Sequence, residues 1–377
     1  MATPFAISRC VQTMFLTAVL FFPKITKAQS PFAGLENLFA TPENYVVRHV
    51  VNAPVIDGDI NDTVWQQAKW TKDFVDIEGD LKPKPPYKTN VKMLWDDNYL
   101  YIAARMEEPQ VWATLKNHDD VVYHENDFEL FIDPSTTTHS YYEIEVNALN
   151  TIFDLFLNKP YRNRGRGLTG WDANGLRSAV KVLGTLNNTS DTDEGWTVEM
   201  AIPFKAISMG FRSRTPENGT VYRVNFSRVQ YDTKIIDGRN VKLKDSAGRN
   251  LPEHNWSWSP QGEIAMHTPE HWGYLLFSTH EADDVAFTIP YVEEQKKYLW
   301  LVYYRQKQWY RQHHEYASSL GKLGIKSKYD IIGISNKLKL QSTQNQFEAF
   351  ITDAKTNTTY TINHEGFIEQ FNPIFDE

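Results

Sequence analysis

The chain of 377 residues holds a single cysteine, Cys10. That scarcity excludes a disulfide scaffold, and beyond residue 10 it excludes a thiol nucleophile and any cysteine-ligated metal. No Cys-x-x-Cys-His occurs, so covalent haem attachment is excluded too. Positive charge is also scarce. The 39 Lys and Arg stand against 47 Asp and Glu, a formal net charge of −8. This balance argues against nucleic acid and against anionic membrane surfaces as main partners. Past residue 22 there is no apolar run long enough to span a membrane. No internal repeat is evident, which removes repeat arrays from consideration. Stability must therefore come from a sizeable hydrophobic core, in one large domain or two moderate ones.

Aromatic residues, by contrast, are abundant. Eleven Trp, 19 Tyr and 21 Phe make up 14 % of the chain. A surplus of this kind points to a binding surface as well as a core. The N-terminus carries Arg9, an apolar stretch from Val11 to Phe22, and Thr26-Lys27-Ala28 before Gln29. This order predicts a cleaved secretory signal over residues 1–28, and a secreted, periplasmic or cell-surface location. Residues 29–44 are polar and predicted to be a linker.

From residue 45 to about 280 the pattern is one of short strands separated by polar turns, without alternating long helices. It predicts an all-β antiparallel sandwich or jelly roll. Two loops are unusually long: residues 158–175, "NKPYRNRGRGLTGWDANG", and residues 232–262, which end in "HNWSWSPQG". Loops of such length in a compact domain are usually functional or mobile. From 285 to 377 the periodicity changes. Tyr291, Leu299, Val302, Tyr303 and Tyr310 share a helical stripe, with Gly321 or Gly324 as its expected end. Three or four short strands follow. This C-terminal helix and small sheet is a candidate surface for cell-surface or enzyme partners.

The stretch "ENDFELFIDPSTTTHSYYEIEVNA" (125–148) reads as a hairpin. Phe128, Leu130 and Ile132 share one face, as do Tyr142, Ile144 and Val146. Turning both sets to the core fixes the parity and places Glu129 beside Glu145, both pointing away from the core. Like charges so placed repel. They stand either on a solvated strand face or on the floor of a cleft. In a cleft they would accept hydrogen bonds from hydroxyls or bind Ca²⁺ through oxygen. Arg105, in step with Tyr99 and Tyr101 on a candidate neighbouring strand, is expected to balance the pair. The arginines at 162, 164 and 166 are a second source of positive charge. Asp57 and Asp59, in "IDGDIND", are candidate calcium ligands, with Asx turns as the plainer reading.

Six segments in order, "PVIDGDINDTVWQQA", "VKMLWDDNYLYIAARMEE", "ENDFELFIDP", "YYEIEVNALN", "GWTVEMAIPF" and "HWGYLLF", resemble family 9 carbohydrate-binding modules over roughly residues 45–277. The resemblance implies a non-catalytic sandwich that binds poly- or oligosaccharide in support of glycan degradation, with structural calcium. In that family a sugar is clamped between two tryptophans beside a glutamate and an arginine. The glutamate corresponds to Glu129 and the first tryptophan to Tyr123. The arginine corresponds to Glu145, two residues before Asn147, and the second tryptophan to Met266. The last two are departures from the family. Trp171, Trp256 and Trp258 are candidates for the missing wall. A glycoside hydrolase using Glu129 and Glu145 is the alternative from another class. A cell-surface assembly protein that has lost sugar binding is the third.

Overall fold

The computed structural model of the chain describes residues 1, 30–208, 215–280 and 285–371. Residues 2–28 of the expected leader lie outside the described residues. Among the described residues, fifteen strands precede the long helix. They begin with β1 (Asn44–His49), β2 (Val75–Asp76), β3 (Thr89–Trp95) and β4 (Tyr99–Glu107). The acid hairpin follows as β5 (Asp127–Asp133) and β6 (Tyr141–Asn147), then β7 (Ile152–Leu157), β8 (Gly167–Leu168) and β9 (Arg177–Leu183). Next come β10 (Gly195–Pro203), β11 (Val221–Gln230), β12 (Thr233–Ile236), β13 (Arg239–Lys242), β14 (His254–Ser257) and β15 (Gly273–Ser278).

The main sheet runs β8-β7-β6-β5-β11-β15-β1-β3-β4-β10-β9, with β14 and β2 attached to the far part of β11. It curls so that its two halves face each other as a β-sandwich. Phe128, Leu130, Ile144, Val146, Val224 and Phe226 of one half pack in a single core with Val91, Met93, Ile102, Ala104, Val198 and Met200 of the other. Each large side chain buried this way contributes about 1.5–3 kcal/mol. The ladder is not wholly antiparallel. β1 pairs parallel with both β15 and β3, and so joins the two halves.

The outer face of the β4–β10 half is covered by residues 50–68. Trp65 is buried there and donates its indole N–H to Glu199 at 2.6 Å. The same carboxylate accepts the backbone N–H groups of Asp57 (3.1 Å) and Gly58 (2.8 Å).

The C-terminal part consists of α1 (Tyr291–His313) and an antiparallel sheet of five strands. These are β16 (Lys328–Ile331), β17 (Ile334–Ser342), β18 (Phe347–Asp353), β19 (Thr359–Asn363) and β20 (Ile368–Phe371). Leu299, Val302 and Tyr303 are buried against Leu338, Phe347 and Ile351. The helix stops before the expected glycines, because His314 adopts the left-handed conformation (φ 56°) and its N–H closes on the Tyr310 carbonyl. The extra strand, β16, is paired through the tight Ile332-Gly333 turn, where both residues have positive φ. Residues 30–43 do not form a free linker. Phe32, Leu35, Leu38 and Phe39 pack into this second core.

A buried ion pair joins the two parts. Arg223 of β11 meets Glu293 of α1 at 2.7 Å, with both side chains nearly covered. Among the described residues no helix is long and apolar enough to cross a membrane.

A cleft floored by carboxyl groups

The alternation of β5 and β6 sends Phe128, Leu130, Tyr142 and Ile144 into the sandwich. The same alternation turns Asp127, Glu129, Glu143 and Glu145 outward. In the observed register Glu129 lies directly opposite Glu145. On the next strand over, Glu145 faces Phe153 and Glu143 faces Leu155 of β7. On the other side, Ser227 of β11 is opposite Glu129.

This outer face is not open to solvent. Val122, Met266 and Trp272 cover it, packed on Phe131, Tyr141, Phe153 and Leu155 in a separate apolar cluster. Glu129, Glu143 and Glu145 consequently line a cleft of about 490 Å³, and Asp127 is buried beside Glu129 and Glu145. Glu129 is 5 % exposed, Glu143 5 %, Glu145 1 % and Asp127 0 %. Asp127 Oδ2 and Glu145 Oε2 are buried without a hydrogen-bond partner. The other Asp127 oxygen accepts the Val229 N–H at 3.3 Å.

Burial favours the neutral acid, and neighbouring carboxyls reinforce it. Burial pushes Glu129 up to about 7, partly opposed by the Ser227 hydroxyl and assisted by Glu253. Asp127, Glu143 and Glu145 lie well above the usual carboxylate range, first through burial and then through neighbouring carboxyl charge, with Glu129 acting on all three. Among the described residues lining the cleft there is no lysine or arginine. His267 is there, but burial lowers it to about 4 and keeps its ring neutral. Its Nδ1 is 3.0 Å from the Tyr141 hydroxyl and its Nε2 3.9 Å from Glu143.

Two tyrosines rise from the floor. Tyr123, 40 % exposed, stands at the Glu145 end with its ring 6.4 Å from Phe153. Tyr161, 48 % exposed, stands at the Glu143 end with its ring 4.4 Å from that of His267. Tyr161 opens the long loop after β7, and its neighbours are held from behind. Lys159 pairs with Glu365 at 2.6 Å, Arg162 pairs with Glu270 at 2.6 Å, and Asn163 bonds both the Glu365 carbonyl and the Tyr303 hydroxyl. Gly165 closes the turn on the Pro160 carbonyl at 3.1 Å. A Cβ there would lie 1.7 Å from the Lys159 oxygen, so the close approach requires glycine.

The structure brings together four of the residues singled out in the sequence: Tyr123, Glu129, Glu145 and Met266 all line this cleft. It places the others elsewhere. Trp171 packs on Tyr142, on the core side of β6, with ring centres 4.9 Å apart. Trp256 and Trp258 are each 3 % exposed and belong to the sandwich core, since their strand turns Asn255 to the cleft instead. Asn147 is fully buried. Its side chain binds the Leu115 carbonyl and accepts the Leu149 and Thr151 N–H groups, which fixes the β6–β7 turn.

Arg105 is exposed on β4, whose neighbours are β3 and β10; β11 takes the place beside β5. Arg162 faces the helix, beneath Trp300 and Tyr303. Asp57 and Asp59 make successive turns. Asp57 accepts the Asp59 N–H at 2.9 Å, and Asp59 is engaged by Asn61 and by Lys181 at 2.9 Å. These are the Asx turns of the plainer reading. A group that could hold a cation is Asp127, Glu129 and Glu145, since one oxygen from each lies within 4.8 Å of the others and all three residues are buried.

Sequence reasoning missed Tyr161 and Glu143. Glu143 shares the parity of Glu145, so the same alternation pointed to it. Tyr161 follows the strand adjacent to that pair by four residues, and this was the available signal for it.

A model of the family described as carbohydrate family 9 binding domain-like matches residues 56–276. Endo-1,4-beta-xylanase A of Thermotoga maritima is 29 % identical over 222 residues, 59 % of this chain and 17 % of that protein. Exoglucanase XynX of Acetivibrio thermocellus is 27 % identical over 164 residues, 44 % of this chain and 13 % of that protein. The chain thus spans less than a fifth of the length of these relatives. Among solved structures, a family 9 carbohydrate-binding module from Caldicellulosiruptor kristjanssonii in complex with cellotriose aligns with a TM-score of 0.40 at 18 % identity. The alignment covers 66 % of this chain and 100 % of that one.

Proposed function

Because the chain belongs to the carbohydrate family 9 binding domain-like family, whose model covers residues 56–276, we propose that the carboxyl-floored cleft binds the saccharide unit of a poly- or oligosaccharide. The observation that carries this reading is the pair of half-exposed tyrosines, Tyr123 and Tyr161, at the two ends of a buried polar floor. A pyranose presents apolar C–H faces and a rim of hydroxyls. Aromatic rings suit the faces. Carboxyl groups suit the rim, since a protonated acid both donates and accepts while an ionised one accepts. Glu129, Glu143 and Glu145, all raised by burial, suit both roles. Met266 adds an apolar side to the pocket.

The calcium implied by the family would be held by Asp127, Glu129 and Glu145, where it would supply the positive charge that the floor lacks. Secretion, expected from residues 1–28, and partners acting through the C-terminal part belong to the same reading.

Glycoside hydrolysis is the second reading, favoured by the short separation of Glu129 and Glu145 and by the raised acid at Glu129. It needs one carboxyl held ionised beside one held protonated. Here burial raises Glu129 and Glu145 alike, and no cationic side chain among the described residues lines the cleft to hold one ionised.

The test is calorimetry with glucose and with cello- and xylo-oligosaccharides, run beside an assay for reducing sugar. Binding without turnover supports the proposal. Turnover abolished in Glu145→Gln replaces it with the hydrolase. Absence of both overturns it in favour of an assembly role.

A further inference from the structure

On the opposite face of β7 from the cleft, four side chains converge from three segments. His118 and Asp119 come from the loop before β5, Asp154 from β7, and Asp172 from the long loop. One ligand atom from each lies within 4.8 Å of all the others. His118 Nε2 is 2.9 Å from Asp172 Oδ1, 3.6 Å from Asp119 Oδ1 and 3.8 Å from Asp154 Oδ1.

Asp154 gives the cluster its direction. It is 1 % exposed. Its Oδ2 accepts the Ala173 N–H at 2.6 Å, while its Oδ1 is buried without any hydrogen-bond partner and faces the other three groups. A buried carboxylate oxygen left unpaired is costly. A protonated His118 does not cure it, because its Nε2 proton goes to Asp172, and 3.8 Å is beyond hydrogen-bond reach. A cation placed among the four atoms does.

We infer that His118, Asp119, Asp154 and Asp172 form a site for one divalent transition-metal ion of the zinc class. The imidazole decides the class. Calcium and magnesium take oxygen ligands, whereas zinc accepts imidazole and carboxylate together. Four such ligands around a tetrahedral zinc lie about 3.3 Å apart, and the three separations measured from Nε2 bracket that value. The ion clasps the loop that carries Tyr123 and the loop that carries Trp171 onto β7, directly behind Phe153. It is a structural site, and it stands whether or not the cleft binds sugar.

The test is titration of the chelator-treated protein with Zn²⁺, and separately with Ca²⁺, in the absence of sugar. His118→Ala, Asp172→Asn and Glu145→Gln are compared with the wild type, and circular dichroism confirms that each is folded. His118 and Asp172 side chains are more than half exposed, so their replacement leaves the core intact. The expected result is one Zn²⁺ per chain, weakened at least ~10-fold in the first two variants and unchanged in Glu145→Gln, with Ca²⁺ failing to displace it. No saturable Zn²⁺ binding in the wild type overturns the assignment. So does Zn²⁺ binding that survives His118→Ala, or that disappears only in Glu145→Gln.

Discussion

Glu129 and Glu145 face each other across the β5–β6 ladder with both side chains buried. The arrangement is tolerable because burial holds both acids above the usual carboxylate range, so the pair is not a pair of charges at mildly acid pH. Stability must then depend on pH in a definite direction. A carboxyl whose folded value is raised contributes fully below its unfolded value, and the contribution is lost as pH rises through the folded value. For Glu129 the window runs from 4.5 to about 7. A rise of that size corresponds to about 3 kcal/mol. Chemical denaturation at pH 5 and pH 8 should show Glu129→Gln gaining stability relative to wild type at the higher pH. Using the difference between the two proteins cancels the opposite trend from His267, which is held neutral down to about 4. Parallel pH profiles would contradict the burial-raised acid.

The two tyrosines should share the sugar contact. Tyr123→Ala and Tyr161→Ala are each expected to weaken oligosaccharide binding about tenfold, or ~1.4 kcal/mol. Trp171→Ala should leave affinity within about twofold, because its ring lies on the core side of the sheet. Calorimetry with one oligosaccharide across the three variants checks this. Loss in Trp171→Ala with retention in Tyr161→Ala would reverse the assignment.

The parity of the acid hairpin was legible from sequence. Phe128-Leu130-Ile132 against Tyr142-Ile144-Val146 leaves a single choice of face, and Glu129 falls opposite Glu145. Its burial was not legible. The cover comes from Val122, Met266 and Trp272, two of them more than a hundred residues away, and alternation within a strand carries no information about what packs over it. Arg105 was misplaced for a related reason. Its own strand has the expected parity, but the neighbour of β5 is β11, which enters some ninety residues later. The tryptophans of "NWSWS" alternate as a strand should. Alternation does not say which face is the core, and here the asparagine took the cleft.

Calcium binding in the cleft should compete with protons, because carboxylate ligands must be ionised. Ca²⁺ is expected to raise the melting temperature of the wild type more at pH 8 than at pH 5, and to have no effect on Glu145→Gln at either pH. Differential scanning calorimetry with and without a chelator reads this directly. A calcium effect that persists in Glu145→Gln would move the ion elsewhere.

The Arg223–Glu293 pair ties the sandwich to α1, and Arg223 also binds the Trp272 carbonyl at 2.7 Å and the Tyr274 hydroxyl at 2.8 Å. Removing one partner of a buried pair strands the other charge. Arg223→Met should therefore cost about 3–5 kcal/mol in denaturant unfolding. A change below ~1 kcal/mol would mean that Glu293 is fully served by Lys296, its other partner at 2.7 Å.

The clasps at Lys159 and Asn163 have a practical meaning for anyone who trims this protein. The segment that looks like a detachable tail is the scaffolding behind one wall of the cleft. A fragment cut after residue 280 would keep every strand of the sandwich and the Arg162–Glu270 pair, yet leave Tyr161 on a loop without its Lys159 and Asn163 clasps. Ligand recognition measured on such a fragment would describe a looser pocket than the intact chain possesses.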